Sequence, residues 1–471
     1  MIGEGAFSNM SIKKADLVVL GGGPGGYGAS MRASKSGLTT IVIEKDNPGG
    51  VCLNCGCIPT KTLYHIARTI DDIKKAATLG IDVSLPKLDF KKAMSRKDRI
   101  IEMQRRALES NYKKNNIELI KGAGEITARG KVLVKTSGGQ DIEIETKNII
   151  IATGSSASVV EPFDLSEDGI MENSRLLSLE EVPESLLIIG GGVIGIEVAN
   201  IFSTFGSNVK VIEILPRILS TEDEEISKII FGILKQKGID IFVGSKVENF
   251  RKSGKRFICN TNRGDELTAD KILMAVGRKP NSTGIGIENA GINLDKDGYI
   301  KVNSHLETNV EGIYAVGDVI GGFQLAHVAS EEGKIAAENI AGKLKEISYD
   351  VIPWTVFTAL EIGAVGLNEK QARKKNIKIC TGVFPFSSSG KAYITGETGG
   401  FIKIISNSET GEIVGAQMIG PRASDLIHEV AVAMKGELLI DDLASTVHSH
   451  PTFSEAVMEA AEDCIGIATY K

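Results

Sequence analysis

Three cysteines stand within six residues in the segment Gly49-Gly50-Val51-Cys52-Leu53-Asn54-Cys55-Gly56-Cys57-Ile58-Pro59-Thr60-Lys61. Free cysteine behaves as a small hydrophobe, so a set of buried thiols is the plain alternative. Crowding among glycines favours redox or metal work instead. A zinc site needs a fourth ligand, and the sequence has no second Cys/His cluster at ligand spacing. His448 and His450 rank low as distant ligands, and no metal is expected. Spacing alone does not choose a reacting pair. On ideal helix dimensions Cys52 and Cys55 have Cα atoms about 5 Å apart, within disulfide range, whereas Cys52 and Cys57 stand roughly 8–9 Å apart. Gly56 is a point where distortion of the turn can change that order.

A second reactive pattern lies near the C-terminus, in His448-Ser449-His450-Pro451-Thr452-Phe453-Ser454-Glu455. A His five residues before a Glu is common by chance and by itself reads as solvated surface. Beside thiol chemistry it gains a use. A dithiol must lose a proton before it attacks, and His is the side chain best matched to that task near neutral pH. A carboxylate on the other ring nitrogen fixes the tautomer and stabilises the imidazolium.

Two glycine-rich turns carry a different chemistry. Gly21, Gly23 and Gly26 follow an apolar strand, open a helical run, and precede Glu44. Gly190, Gly192 and Gly195 repeat the arrangement before Glu213, with the same spacing of 23 residues from first glycine to carboxylate. Such a turn lets the backbone approach a pyrophosphate at the positive end of a helix, while the carboxylate receives a ribose hydroxyl pair. A lone motif is weak evidence, but two with strand, helix and acid in place are strong. Glu213 would repel a ribose 2′-phosphate and the nearest Arg is Arg217, so NAD is favoured over NADP there.

The elements that must position these residues follow from pattern. Ala15 to Leu20, a helix to about Ser36, and Thr39 to Glu44 form one strand–helix–strand unit. Leu186 to Ile189, a helix, and Asn208 to Glu213 form the other. Phe90 to Asn115 reads as a long charged helix, followed by short strands near Leu119, Val132 to Thr136 and Ile142 to Glu145. Asn148 to Gly154 and Lys271 to Gly277 close the two units. From Pro353 the pattern changes to strands (Phe401 to Ile405, Ile413 to Ile419) and then helices, an α+β arrangement.

A length of 471 residues implies about three domains and cores large enough to need no disulfide staples. Hydrophobic residues at 42 % and charged ones at 24 % are ordinary for a globular chain. The net charge of -6 offers no basic surface, so nucleic acid is not an expected partner. The most apolar stretch, Leu186 to Phe202, is interrupted by glycines and Glu197, which excludes a membrane span. Residues Met1 to Asn9 precede the first strand without a secretory pattern, and a cytoplasmic location is expected.

With these motifs in hand, the chain resembles the class I pyridine nucleotide-disulfide oxidoreductases, from about Ala15 to Glu459. The resemblance is nearest to members that oxidise protein-bound dihydrolipoyl groups with NAD⁺. It implies an α/β fold with two Rossmann-like dinucleotide-binding domains and a C-terminal α+β dimerisation domain. FAD would occupy the first, with Gly21, Gly23, Gly26, Glu44, Lys61, Gly124, Thr153, Gly154, Asp318, Leu325, Ala326 and His327 in contact. NAD would occupy the second, at Gly190, Gly192, Gly195, Glu213, Val247 and Gly277. The family motif pairs cysteines separated by four residues, which maps onto Cys52 and Cys57. It assigns Lys61 and Glu197 as an ion pair beside the flavin, and His450 and Glu455 as the acid–base pair facing the other subunit. Glu332-Gly333 match a stretch along the flavin.

The implied boundaries are 14–155 and 281–350 for the FAD domain, 156–280 for NAD, and 351–471 for dimerisation. A homodimer is implied. No lipoyl-bearing segment precedes the first strand, so the lipoyl carrier is expected on another protein, a 2-oxo acid dehydrogenase complex component or the glycine cleavage carrier. Two positions depart from the family pattern: Cys55, where relatives are usually apolar, and Leu360, where they often have Pro. The rival readings are another disulfide or mercuric reductase of the family, or a flavin- and NAD-binding redox sensor without turnover. A mercuric reductase would carry a vicinal cysteine pair at the C-terminus, and only Cys464 stands there.

Overall fold

A computed structural model of the chain describes residues 11–470 other than 85 and 137, so the segment Met1 to Asn9 lies outside it. The first unit is a parallel sheet in the spatial order Glu118–Ala128, Thr40–Glu44, Ser11–Leu20, Ile142–Ile151, Ile313–Ala315. Strand Lys131–Thr136 runs antiparallel to the far ends of Glu118–Ala128 and Ile142–Ile151. The second unit repeats the plan with Asp240–Val243, Asn208–Glu213, Ser185–Ile189, Lys271–Met274 and Ile170–Met171. In each, the strand before the glycine turn lies inside the sheet and its last four residues are buried, as helices on both faces demand. The carboxyl ends of these strands therefore open on a crevice at the point where strand order reverses.

Two expectations need adjustment. The first strand starts at Ser11 rather than Ala15, and Ile142–Ile151 is one strand rather than two. Polar residues Glu145 and Thr146 break the apolar pattern but stay in the ladder, because Lys14 and Ala15 pair with them. Cross-strand pairing overrode side-chain polarity there.

The C-terminal part is an antiparallel sheet in the order Pro353–Phe357, Glu361–Gly366, Ile413–Gly420, Phe401–Asn407, Ile379–Pro385. Helices Ala423–Lys435 and Glu455–Cys464 cover one face through Ile402, Ile404, Met418, Ile427 and Val457. Val356, Ile362, Phe401 and Ile419 belong instead to a core shared with helix Cys57–Lys75 and the second unit. One apolar cluster thus fixes all three parts around the crevice. The hairpin containing Leu360 closes normally, with Thr358 Oγ1 donating to the Leu360 carbonyl at 2.6 Å. No described helix is long and apolar enough to cross a membrane.

Helix Ala326–Ile340 lies against helix Pro24–Lys35, and Gly333 is at their closest approach. A Cβ on Gly333 would stand 2.1 Å from the Gly25 carbonyl oxygen. Gly333 is therefore a helix-packing residue, because its small size is used up by backbone contact. Gly333→Ala is expected to destabilise the fold by about 1–3 kcal/mol, read as a lower denaturation midpoint. An unchanged midpoint would show that the two helices do not pack this closely.

Candidate functional site

A cavity of about 2190 Å³ runs between the three parts. Ordinary ligand pockets span roughly 300–1,000 Å³, so this one has room for more than one large ligand. Of the residues named from the sequence, Gly21, Gly23, Glu44, Cys52, Cys57, Lys61, Gly124, Thr153, Gly154, Asp318, Leu325, Ala326 and His327 line it. So do Gly190, Gly192, Glu197, Glu213, Val247 and Gly277. Gly26, Gly195, His450 and Glu455 do not.

Helix Gly50–Cys55 ends at Gly56, whose φ of -137° and ψ of -107° are not helical, and helix Cys57–Lys75 starts at once. A side chain at Gly56 would put Cβ 2.9 Å from the Val51 carbonyl oxygen. Glycine permits the break, and the break carries Cys57 back onto Cys52 until their thiols share a hydrogen bond. Helix spacing had favoured Cys55 as the partner of Cys52. That order fails because residues 52 and 57 do not lie on one helix. All six cysteines are free thiols here. Cys55 closes the short helix, and its carbonyl accepts from Asn173 Nδ2 at 2.6 Å.

The two thiols are not equivalent. The hydrogen bond from Cys52, with help from the Lys61 ammonium, lowers Cys57 to about 7. The same bond and burial push Cys52 up. One proton serves the pair: Cys52 holds it, and Cys57 carries the charge. Lys61 follows Cys57 by one helical turn and so faces the same way. Its Nζ lies 2.7 Å from Glu197 Oε2, and Glu197 Oε1 accepts the Phe357 amide at 3.0 Å. Lys61 also sits over the Phe357 ring, 4.9 Å from its centroid. One ion pair therefore joins the cysteine helix, the second glycine-turn helix and the C-terminal sheet.

The glycine turns match in detail. Gly21 and Gly190 have φ of +104° and +111°, and a Cβ would fall 2.3 Å and 2.2 Å from the oxygens of Ala152 and Ala275. Gly26 and Gly195 abut the carbonyls of Gly21 and Gly190, where a Cβ would lie 1.9 Å and 2.0 Å away. They hold helix to turn and leave the cavity to the others. The Gly22 amide donates to Glu44 at 2.7 Å and the Gly191 amide to Glu213 at 2.6 Å. Gly23 and Gly192 precede their helices without a side-chain cap, and a Cβ on Gly192 would meet no protein atom within 4 Å. Uncapped helix N-termini facing open space suit the pyrophosphate of a dinucleotide in both places. Arg217 is turned away from Glu213, donating to the carbonyls of Leu219, Ser220 and Glu222.

Two supporting residues, Ser155 and Arg278, were not foreseen. Ser155 donates to Asp318, and Arg278 donates to the Ser155 hydroxyl and carbonyl at 2.6 Å each. Buried Glu332 does not reach the cavity. It accepts the Gly317 amide and the Tyr349 hydroxyl, both at 2.7 Å, and so fixes the backbone beside Asp318. His327 Nε2 lies 2.8 Å from the Pro353 carbonyl. No sequence signal marks Ser155 or Arg278, since each acquires its partner only through tertiary contact.

His450 Nδ1 stands 2.8 Å from Glu455 Oε1, and Glu455 Oε2 accepts the Thr452 amide at 2.7 Å. Burial opposes the Glu455 charge, but the Thr452 amide and His450 outweigh it and lower the carboxyl. The His450 side chain is 77 % exposed and lies apart from the cavity of its own chain. His448 is committed on both ring nitrogens, to the Thr446 carbonyl at 2.8 Å and to Glu429 at 2.6 Å. It cannot stand in for His450.

Comparison with known proteins agrees with this geometry. A model of the pyridine nucleotide-disulphide oxidoreductase family matches residues 15–333, and its dimerisation domain matches residues 352–461. Curated relatives include dihydrolipoyl dehydrogenases of Thermus scotoductus and Bacillus subtilis. Each is 38 % identical, covering 96 % of this chain and 97 % and 99 % of the relative. LpdA from Mycobacterium tuberculosis is 27 % identical with a TM-score of 0.90, covering 96 % of this chain and 99 % of its own. The flavoprotein disulfide reductase RclA from Escherichia coli, as a Cu(II) complex, is 29 % identical with a TM-score of 0.87, covering 96 % and 99 %. The dimerisation domain makes the assembly a homodimer. The chain belongs to the pyridine nucleotide-disulphide oxidoreductases, NAD-dependent flavoproteins that use FAD.

Proposed function

We propose that the protein oxidises dihydrolipoyl groups carried by another protein to the cyclic disulfide, with NAD⁺ as the final acceptor. The observation that carries this reading is the unequal thiol pair in the cavity, between two dinucleotide turns. Residues 14–155 and 281–350 hold FAD, 156–280 hold NAD, and 351–471 form the dimer. Committed Arg217 and the Glu213 carboxylate leave no place for a 2′-phosphate, which favours NAD. Gly21, Gly23, Glu44, Gly124, Thr153, Gly154, Asp318 and Leu325 to His327 bind FAD. Gly190, Gly192, Glu213, Val247 and Gly277 bind NAD. The lipoyl carrier is a component of a 2-oxo acid dehydrogenase complex or of the glycine cleavage system, met in the cytoplasm.

In the oxidised protein Cys52 and Cys57 form a disulfide. His450 of one chain removes a proton from a substrate thiol at the partner's cysteines, and Glu455 holds the resulting imidazolium. The substrate thiolate attacks Cys52. Cys57 departs, because the lower-pKa sulfur is the better leaving group and Lys61 stabilises its charge. The second substrate thiol then attacks the substrate sulfur of the mixed disulfide. The lipoyl ring closes, and Cys52 leaves and takes a proton. Bound FAD supplies the two-electron relay from the dithiol to the nicotinamide.

Cys57→Ser should lower lipoamide-dependent NADH turnover by at least about 10³-fold while flavin stays bound. Full lipoamide turnover in that variant would end the assignment. His450→Gln should cost about 10²–10⁴-fold in turnover, with the absorbance of the bound flavin intact. If the loss were negligible, another group would have to be the base.

The Cys57 value sets a pH dependence. A thiol lowered to about 7 is thiolate above that pH and protonated below it. Alkylation of Cys57 in the reduced protein should rise about tenfold per pH unit and level off near 7. Cys52→Ala removes the hydrogen bond and should move the plateau towards an ordinary thiol value. Peptide mapping after timed iodoacetamide treatment reads both, and a native plateau no lower than that of the variant would count against the shared proton.

A further inference from the structure

Cys380 and Cys464 lie 84 residues apart in sequence, yet the fold brings them together in the C-terminal domain. Strand Ile379–Pro385 forms the edge of the sheet, and helix Glu455–Cys464 crosses it. At the crossing the backbones nearly touch: a Cβ on Gly382 would fall 1.9 Å from the Ala460 oxygen and 2.4 Å from the Cys464 nitrogen. Cys380, two residues earlier, projects from the same face of the strand. Its Sγ reaches the Cys464 carbonyl, and the two thiols are within hydrogen-bonding reach of each other. The Val383 amide donates to Asp463 at 2.8 Å, which pins the end of the helix beside the pair. Cys380 is partly exposed, Cys464 is buried, and the Ser406 hydroxyl stands 3.1 Å from Cys464 Sγ.

Neither residue belongs to the dinucleotide cavity, and neither takes part in the chemistry of Cys52 and Cys57. We propose that Cys380 and Cys464 are a second redox site, which closes to a disulfide by exchange with small aliphatic disulfides of the lipoyl class. Cys380 attacks the reagent and forms a mixed disulfide, expelling one thiol. Cys464 then attacks the Cys380 sulfur and expels the second thiol. Two protein S–H bonds and the reagent S–S bond become one protein S–S bond and two reagent S–H bonds. The protein loses two electrons and the reagent gains them.

Two features bear on the rate. Burial raises Cys464 to about 11, so the closing step quickens as pH rises through the working range. The Ser406 hydroxyl can donate to the sulfur as its charge develops. The bond would tether the C-terminal end of the helix whose first residue is Glu455. Cys259 provides an internal control, since it is fully buried and has no cysteine neighbour among the described residues.

The test uses the native homodimer, treated with 2-hydroxyethyl disulfide at about pH 8.5, then acid-trapped, denatured, alkylated and peptide-mapped. A disulfide-linked peptide joining Cys380 to Cys464 is expected, with loss of two alkylatable thiols per chain beyond Cys52 and Cys57. Cys259 should remain alkylatable, and formation should be faster at higher pH. Cys380→Ser should remove the linked peptide, leave Cys464 as a free thiol and keep the basal turnover. Hydroxyethyl adducts on Cys380 without closure would overturn the proposal. So would free thiols at both positions after Cys52 and Cys57 have fully exchanged. Because the readout is a map of disulfide-linked peptides, it stands or falls independently of lipoamide activity.

Discussion

The site depends on one interruption of a helix. Without the turn at Gly56, residues 50 to 75 would form a continuous rod, and Cys57 would point more than a quarter-turn away from Cys52. With it, two sulfurs meet inside the cavity, one hydrogen bond divides the proton between them unequally, and Lys61 faces the charged member. Geometry thereby sets an order of acidity: one sulfur carries charge easily and the other keeps its proton. The break in turn requires glycine, since the Val51 carbonyl leaves no room for a side chain at position 56.

The rest of the fold holds that junction against two ligand sites. The ion pair of Lys61 with Glu197 spans all three parts, and Glu197 is almost fully buried. A buried ion pair contributes little net stability after desolvation, so its value lies in placement. Glu197 uses its second oxygen on the Phe357 amide, which leaves it no freedom to follow Lys61 elsewhere. The shared apolar core supplies the cohesion, and the ion pair supplies the register.

Local features were legible in the sequence, and tertiary ones were not. The glycine turns and their carboxylates could be read because strand, turn, helix and acid are contiguous and each glycine answers a backbone requirement. Fold class and the C-terminal change of pattern were legible for the same reason. The cysteine pairing resisted the residues alone, since ideal helix geometry pointed to Cys55 and only a resemblance pointed to Cys57. Ser155 with Arg278 and Cys380 beside Cys464 left no trace, because each pair forms across a large separation that no short spacing encodes.

On the proposed reading, the reacting groups are not gathered in one place among the described residues of a single chain. The thiols lie in its cavity, but His450 stands largely exposed and outside it, held by Glu455 and backed by a His448 that has no free nitrogen. A homodimer resolves the mismatch, since two-fold symmetry places the same exposed surface of each protomer against the other. Helix Glu455–Cys464 then has two tasks: its first residue orients the base, and its body anchors to the edge strand near Cys380. On the proposed reading, the Glu455 contact holds an exposed histidine in one orientation before the substrate arrives, which is the condition an acid–base group must satisfy to act without a further ordering cost.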